Sequence, residues 1–292
     1  MKNSVKIVAA LLVLLSLGAY RTDKPAYLLF NQKGKKISYK RMLKQASKAD
    51  VVFFGELHNN PISHWLQLEL TNDLYQLTEG RVIQGAEMFE ADNQHALTAY
   101  LEGEMDADSL KKAARLWPNY KTNIEPLVHL ARDHQIPFIA TNIPRRYASM
   151  VFRNGFTALD SLPDEEKNWI APLPIAYDAD LPAYQQMLKM MDGSVHMQTP
   201  ENFPKAQAIK DATMAWFIHK NRLNGTIFIH YNGAYHSDNF EGIVWYLKQL
   251  ESDIKILTIS TVESGQPIQI PEEKAGIANF IVAVPKEMTK TH

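Results

Sequence analysis

The chain has 292 residues, 46% hydrophobic and 22% charged, the composition of a globular protein able to bury the core of one large domain or two modest ones. Its 31 lysines and arginines balance 32 acids, so no basic field directs it to nucleic acid or to an anionic membrane surface. The absence of cysteine excludes disulfides, thiolate metal ligands, a lipid-bearing cysteine and a cysteine nucleophile.

Lys2 and Lys6 precede the apolar run Ile7 to Leu17, and the small residues Gly18 and Ala19 follow it. That order is a secretory signal, too short for a comfortable membrane span, so loss of residues 1–18 or 1–19 and export to the periplasm or cell envelope are expected. Membrane association is expected only through an uncleaved signal. Residues 20–292 then read as a single α/β domain.

Ala26 to Phe30 and Lys36 to Tyr39 flank Asn31-Gln32-Lys33-Gly34-Lys35 and read as a hairpin, followed by a short amphipathic helix from Tyr39 to Ala49. Val51-Val52-Phe53-Phe54 is a strand without alternation, which suits burial on both faces, and it ends in Gly55-Glu56-Leu57-His58. Pro61 opens a helix that runs to Gly80. A second strand, Val82 to Ala86, ends in Glu87-Met88-Phe89-Glu90. Helical periodicity from Asp92 to Trp117 breaks at Gly103, with Asp108 or Ser109 as the cap of the new helix. A helix over Pro126 to His134 precedes a third strand, Ile136 to Ala140, which ends in Thr141-Asn142-Ile143-Pro144-Arg145-Arg146. Strands alternating with helices predict a central, mostly parallel sheet flanked by helices.

From about 147 to 217 no strand is evident, and six prolines divide the segment, which reads as a helical insertion with Met187, Met190, Met191 and Met197 concentrated in it. Gly225 to Ile229 resumes the sheet and ends in His230-Tyr231-Asn232-Gly233-Ala234-Tyr235-His236. A helix over Phe240 to Leu250 and strands over Ile254 to Ser260 and Ile277 to Val284 complete the chain.

Four strands therefore end in polar clusters, which parallel strands bring to one rim: Glu56 with His58, Glu87, Asn142 with Arg145, and His230 with His236. Carboxylates and imidazoles of this kind suit a divalent metal, with His58, Glu87 and His236 as the ligands. They equally suit metal-free acid and base chemistry, with Glu56, His58, Glu87 and His236 as the catalytic groups and Arg145 stabilising negative charge. The remaining histidines read as surface or satisfied positions. No serine elbow and no His-Glu-x-x-His helix is present.

Gly55-Glu56-Leu57-His58-Asn59-Asn60-Pro61, Ala86-Glu87-Met88, Asn142-Ile143-Pro144-Arg145, Ala206-Gln207 with Asp211-Ala212-Thr213-Met214-Ala215, and Asn232-Gly233 with His236 together resemble the ChaN-like haem-binding family. That family lies within a wider group containing Tiki and TraB proteins and the erythromycin esterases. The likeness runs from about Ala49 to about Leu250. It implies an α/β fold with a helical subdomain, a homodimer, and ferric haem held by a tyrosine in iron acquisition. Two departures stand out: ChaN proteins are commonly lipoproteins, which this chain cannot be, and extra residues separate Gly233 from His236. Of the twelve tyrosines, Tyr177 and Tyr184 in the Met-rich insertion are the candidate ligands, with Tyr147 and Tyr235 nearer the rim. Arg145, Arg146, Arg153 and Lys189 are the candidate propionate partners. The alternative implied by the wider group is a hydrolase, a metal-dependent peptidase or a histidine-based esterase.

Overall fold

Four apolar residues in succession need cover on both sides, and Val51–Phe54 has it. Val51 and Phe53 face one apolar cluster while Val52 and Phe54 face another, and all four are fully buried. The computed structural model of the chain describes residues 24–191, 199–266 and 268–291, so the predicted signal segment 1–19, His196 and Met197 lie outside the described residues.

The elements follow in order as β1 (Leu28–Asn31), β2 (Lys36–Ile37), α1 (Tyr39–Ala46), β3 (Val51–Glu56), α2 (Pro61–Leu77), β4 (Val82–Glu90), α3 (Gln94–Leu101), α4 (Ala107–Ala113), α5 (Tyr120–Asn123), α6 (Glu125–His134), β5 (Phe138–Asn142), α7 (Arg145–Asn154), α8 (Asp164–Lys167), α9 (Pro182–Met191), α10 (Asn202–Asn221), β6 (Ile227–Gly233), α11 (Ile243–Leu250), β7 (Ile256–Ser264) and β8 (Phe280–Pro285). The eight strands form one sheet in the order β2-β1-β8-β7-β3-β6-β4-β5. From β8 to β5 every neighbouring pair is parallel, and the antiparallel pairs are β1 with β2 and β1 with β8, at one edge. The expected mostly parallel α/β fold is what forms.

Element ends depart from expectation where side chains intervene. The second hairpin strand stops at Ile37 because the Ser38 side chain accepts from Arg41 N and caps α1. Asp106, rather than Asp108 or Ser109, caps α4, accepting from Ser109 N at 2.7 Å. The strand expected to stop at Ala86 continues as β4 to Glu90, with a register shift against β5 between Ala86 and Glu90. Such an irregularity re-aims side chains at a sheet end, and here its span from Ala86 to Glu90 includes Glu87. β6 runs on to Gly233 and takes His230 into the sheet interior.

The stretch read as an insertion supplies α7 to α10, and α10 is a full layer helix of the domain. Its buried residues Ala208, Ala212, Met214, Ala215 and Ile218 join the cluster under β3 and β6, while Ala206 and Ile209 join a second cluster with Tyr147 and Val151 of α7. Burial around so much of the helix explains why no amphipathic stripe marks it in the sequence. The connection β5-to-β6 returns the chain from the sheet edge to the space between β3 and β4. β6 thus stands between the strands that carry Glu56 and Glu87, and their carboxyl ends meet in one crevice.

Candidate functional site

At the end of β3 the buried Glu56 uses both oxygens. Oε1 lies 2.9 Å from His58 Nδ1, and Oε2 accepts from Gln67 Nε2 at 2.7 Å. The His58 carbonyl is the acceptor for three side chains, His64 Nε2 at 3.1 Å, Asn119 Nδ2 at 3.1 Å and Asn123 Nδ2 at 3.0 Å. The Trp117 ring meets the His58 ring edge to face, with centroids 5.0 Å apart. The turn after β3 is held from α2, from the segment before α5, and from α5 itself. Burial works against a charge on His58, but the Glu56 hydrogen bond and the nearby Glu87 and Glu56 charges outweigh it and raise its pKa.

Behind this pair lies a second one. Glu87 Oε2 accepts from Gly233 N at 2.7 Å, and its Oε1 lies 3.2 Å from His236 Nε2. His236 Nδ1 is 2.5 Å from Asp211 Oδ1, and the Gln207 amide lies against the same ring. Glu87, Asp211 and His236 are all buried. Burial opposes the His236 charge, yet Glu87 and Asp211 together push its pKa up to about 10. Glu87 moves down because the His236 charge overcomes its burial, whereas Asp211 moves up because burial prevails over the same imidazolium. The proton therefore belongs to His236. Gly233 joins the two pairs, since a Cβ there would lie 2.8 Å from His58 Nε2 and 3.5 Å from Glu87 Oε2.

Glu56, His58, Glu87 and His236, anticipated at one rim, do come together. Gln67, His64, Gln207 and Asp211 were not assigned roles from sequence. Each lies on a helix facing the rim, and the four-residue step from Gln207 to Asp211 was the available signal. His230, by contrast, faces the sheet interior, 2.7 Å from Thr141 Oγ1 and 3.1 Å from Asn232 Oδ1, and burial lowers its pKa to about 4.

This geometry limits the chemistry. His236 has both ring nitrogens held by carboxylates, so it is a fixed cation and a poor base; His58 keeps Nε2 without a hydrogen bond among the described residues. The divalent site expected of His58, Glu87 and His236 is not supported. Among the described residues no group of three or more His, Asp or Glu side chains is arranged to hold an ion, and the His236 nitrogens are already engaged.

A cleft of about 580 Å³ opens above the two pairs. Its polar side is Glu56, His58, Gln207 and His236, and its apolar side is Leu57, Met187 and Met190 of α9, and Phe203 of α10. Tyr235 also lines it, 36% exposed, with its hydroxyl donating to Ala183 O at 2.7 Å. Burial, followed by the Glu241 and Asp211 carboxylates, pushes the Tyr235 phenol up to about 12.

Tyr177 and Tyr184, the tyrosines chosen from sequence, do not line this cleft. They stack on each other with centroids 5.5 Å apart, and Tyr184 is 1% exposed with its pKa driven far up by burial. The reason is packing: α9 turns Tyr184 into the core and Met187 and Met190 toward the cleft. Arg145 is exposed at the start of α7, outside the cleft lining, and makes no hydrogen bond or ion pair among the described residues. Arg146 is committed to Asp92 at 2.6 Å and lies over the Tyr147 and Trp169 rings.

A family model described as haem-binding uptake, Tiki superfamily, ChaN, matches residues 42–247. No curated protein matches the chain. Among solved structures, one described as cofacial haem binding to ChaN of Campylobacter jejuni aligns with 17% identity and a TM-score of 0.66, covering 88% of this chain and 96% of that one. That likeness is one of fold. A Bacillus cereus protein (11% identity, TM-score 0.49, 84% of this chain and 90% of that one) and the erythromycin esterase EreC (10%, 0.46, 89% and 83%) are too remote to bear on function.

Proposed function

We propose, from the premise that this chain belongs to the ChaN family of haem-binding uptake proteins in the Tiki superfamily, that it binds ferric haem in the cleft between α9, α10 and the ends of β3 and β6. The carrying observation is Tyr235, a phenol that lines the cleft together with the apolar side chains of Met187, Met190 and Phe203, its hydroxyl donating to Ala183 O at 2.7 Å. These residues fit the ligand: a flat apolar macrocycle needs apolar walls, and ferric iron outside the cytoplasm suits a phenolate. Neither Tyr177 nor Tyr184 lines the cleft, so Tyr235 takes their place as the proposed ligand. Tyrosine ligation supplies an anionic oxygen that favours the ferric state.

The two acid and histidine pairs form a rigid polar floor. Glu87 and Asp211 fix the His236 cation, and Glu56 orients His58 with Nε2 unused. The ChaN of Campylobacter jejuni binds haem cofacially, and two copies of this chain joined at their open clefts would present two haems face to face. A homodimer, export through the segment 1–19 and a role in iron acquisition are parts of the same proposal.

Hemin titration of the exported protein, followed by its visible spectrum, tests the reading. Saturable binding with a tyrosinate charge-transfer band in the wild type, lost in Tyr235→Phe without unfolding, is the expected result. Binding that never saturates, or a spectrum unchanged by the substitution, would overturn it.

A further inference from the structure

The chain stays on the rim after β8. Pro285 is followed by Lys286-Glu287-Met288-Thr289-Lys290-Thr291, a polar stretch in which Met288, Lys290 and Thr291 are partly buried and the other three residues are exposed. Lys286 N donates to Ser264 O at 2.9 Å, and Lys290 pairs with Glu263, both at the end of β7. β8, β7 and β3 are parallel neighbours in that order, so the segment crosses the end of β7 and reaches the turn that follows β3. We propose that residues 286–291 form a strap that positions the His58 turn in the cleft, with Thr291 as its positioning residue.

The contacts of the strap converge on that turn. Thr291 N donates to Asn59 O at 2.9 Å. Asn123 Nδ2 of α5 donates to His58 O at 3.0 Å and to Thr291 Oγ1 at 3.3 Å, tying the strap and the turn to one amide. The Asn60 side chain caps α2 through Oδ1, which accepts from Ile62 N and Ser63 N, and its Nδ2 points at Met288 Sδ, 4.0 Å away. Asn60 N donates to Leu57 O at 2.8 Å and closes the turn. His58, Asn59 and Asn60 are thus bound to the strap directly or through Asn123.

The consequence falls on the cleft, because Leu57, His58 and Asn59 all line it. The His58 side chain is 41% exposed, so its place depends on the Glu56 hydrogen bond and on the backbone beneath it more than on packing. His64, Asn119 and Asn123 reach the His58 carbonyl, while the strap takes the Asn59 carbonyl one residue on. Pinned at two successive carbonyls, the turn holds both peptide planes; released at Asn59, it can rotate there and carry the His58 ring off Glu56. The strap serves haem binding only if this cleft is the haem site, a purpose that rests on that reading; its geometry does not.

The test follows the full chain without haem by NMR, reading amide hydrogen exchange and the His58 ring titration. Thr291→Pro removes the N–H that meets Asn59 O, and Thr291→Ser keeps both the N–H and the hydroxyl. In the proline variant the Asn60 amide should exchange about three- to tenfold faster, the weight of one hydrogen bond, while the Phe53 and Ile229 amides of the sheet exchange as in the wild type. Burial lowers the His58 pKa, the Glu56 hydrogen bond with the Glu87 and Glu56 charges raises it beyond that loss, and the His236 charge opposes them. As the ring leaves Glu56, the titration in the proline variant should fall back toward the ordinary imidazole value. The serine variant should match the wild type in both readouts. Neither readout needs haem, so the strap and the haem reading fail separately. The proposal is overturned if either readout in Thr291→Pro stays at its wild-type value, if the sheet amides accelerate equally, or if Thr291→Ser behaves as the proline variant does.

Discussion

Glu87 joins the β4 bulge, the end of β6 and the buried His236, so its removal tests how the floor is held. In Glu87→Ala, Gly233 N loses its acceptor and His236 keeps Asp211 as its carboxylate partner among the described residues. Leaving a buried charge short of one partner costs about 3–5 kcal/mol. Glu87→Gln should cost less, because its amide oxygen still accepts from Gly233 while its NH₂ opposes the imidazolium. Urea unfolding of the haem-free protein would show the alanine variant's midpoint lower by about 1–2 M. pH adds a signature. His236 holds its proton more tightly folded than unfolded, so its contribution is complete below pH 6.5 and is lost as pH rises through about 10. Glu87 is depressed, so its contribution is complete above pH 4.5 and is lost as pH falls toward its folded value. Asp211 is raised and works in the opposite sense in acid, in both proteins. The wild-type advantage over Glu87→Gln should be widest between pH 4.5 and 6.5 and should shrink on either side. A cost for Glu87→Ala below about 1 kcal/mol, or a pH-independent gap between wild type and Glu87→Gln, would refute this account of the floor.

Two glycines should respond differently to alanine. At Gly55 the new Cβ would lie 2.9 Å from Ala234 Cα and 3.1 Å from Ile259 O, backbone atoms that cannot step aside, so chemical denaturation should show a loss of about 1–3 kcal/mol. At Gly233 it would meet the His58 ring, whose side chain is 41% exposed and free to swing out, so stability should change little. The His58 pKa, read by NMR, should then fall toward its unperturbed value as Glu56 loses contact; an unchanged pKa would contradict the geometry. His230, lowered to about 4, should be neutral in NMR spectra at pH 6, and its contribution to stability should be complete above pH 6.5 and lost as pH falls through about 4. An imidazolium at pH 6 would show that burial does not control it.

The fold was largely legible because its strands are unbroken apolar runs, such as Val51–Phe54, that suit a sheet covered on both faces. The acids and histidines of the rim were legible because they follow those runs directly. What could not be read is what tertiary packing decides. The bulge that aims Glu87 depends on pairing with β5, and the roles of Gln67, Gln207 and Asp211 depend on which helical face meets the strand ends. Tyr184 and Met187 lie less than one helical turn apart on α9 and both join the core, and which of them also reaches the cleft depends on the helix's rotation against α10. His230 and His236 look alike in sequence, yet the strand alternation and the turn after Gly233 send one into the sheet and the other to the cleft.

The most direct measurement is a crystal structure of the hemin-loaded protein with iron located by its anomalous scattering. Iron in the cleft lined by Met187, Met190 and Phe203, bonded to the Tyr235 oxygen, is the predicted result; iron bound elsewhere on the chain, with that cleft empty, would contradict it.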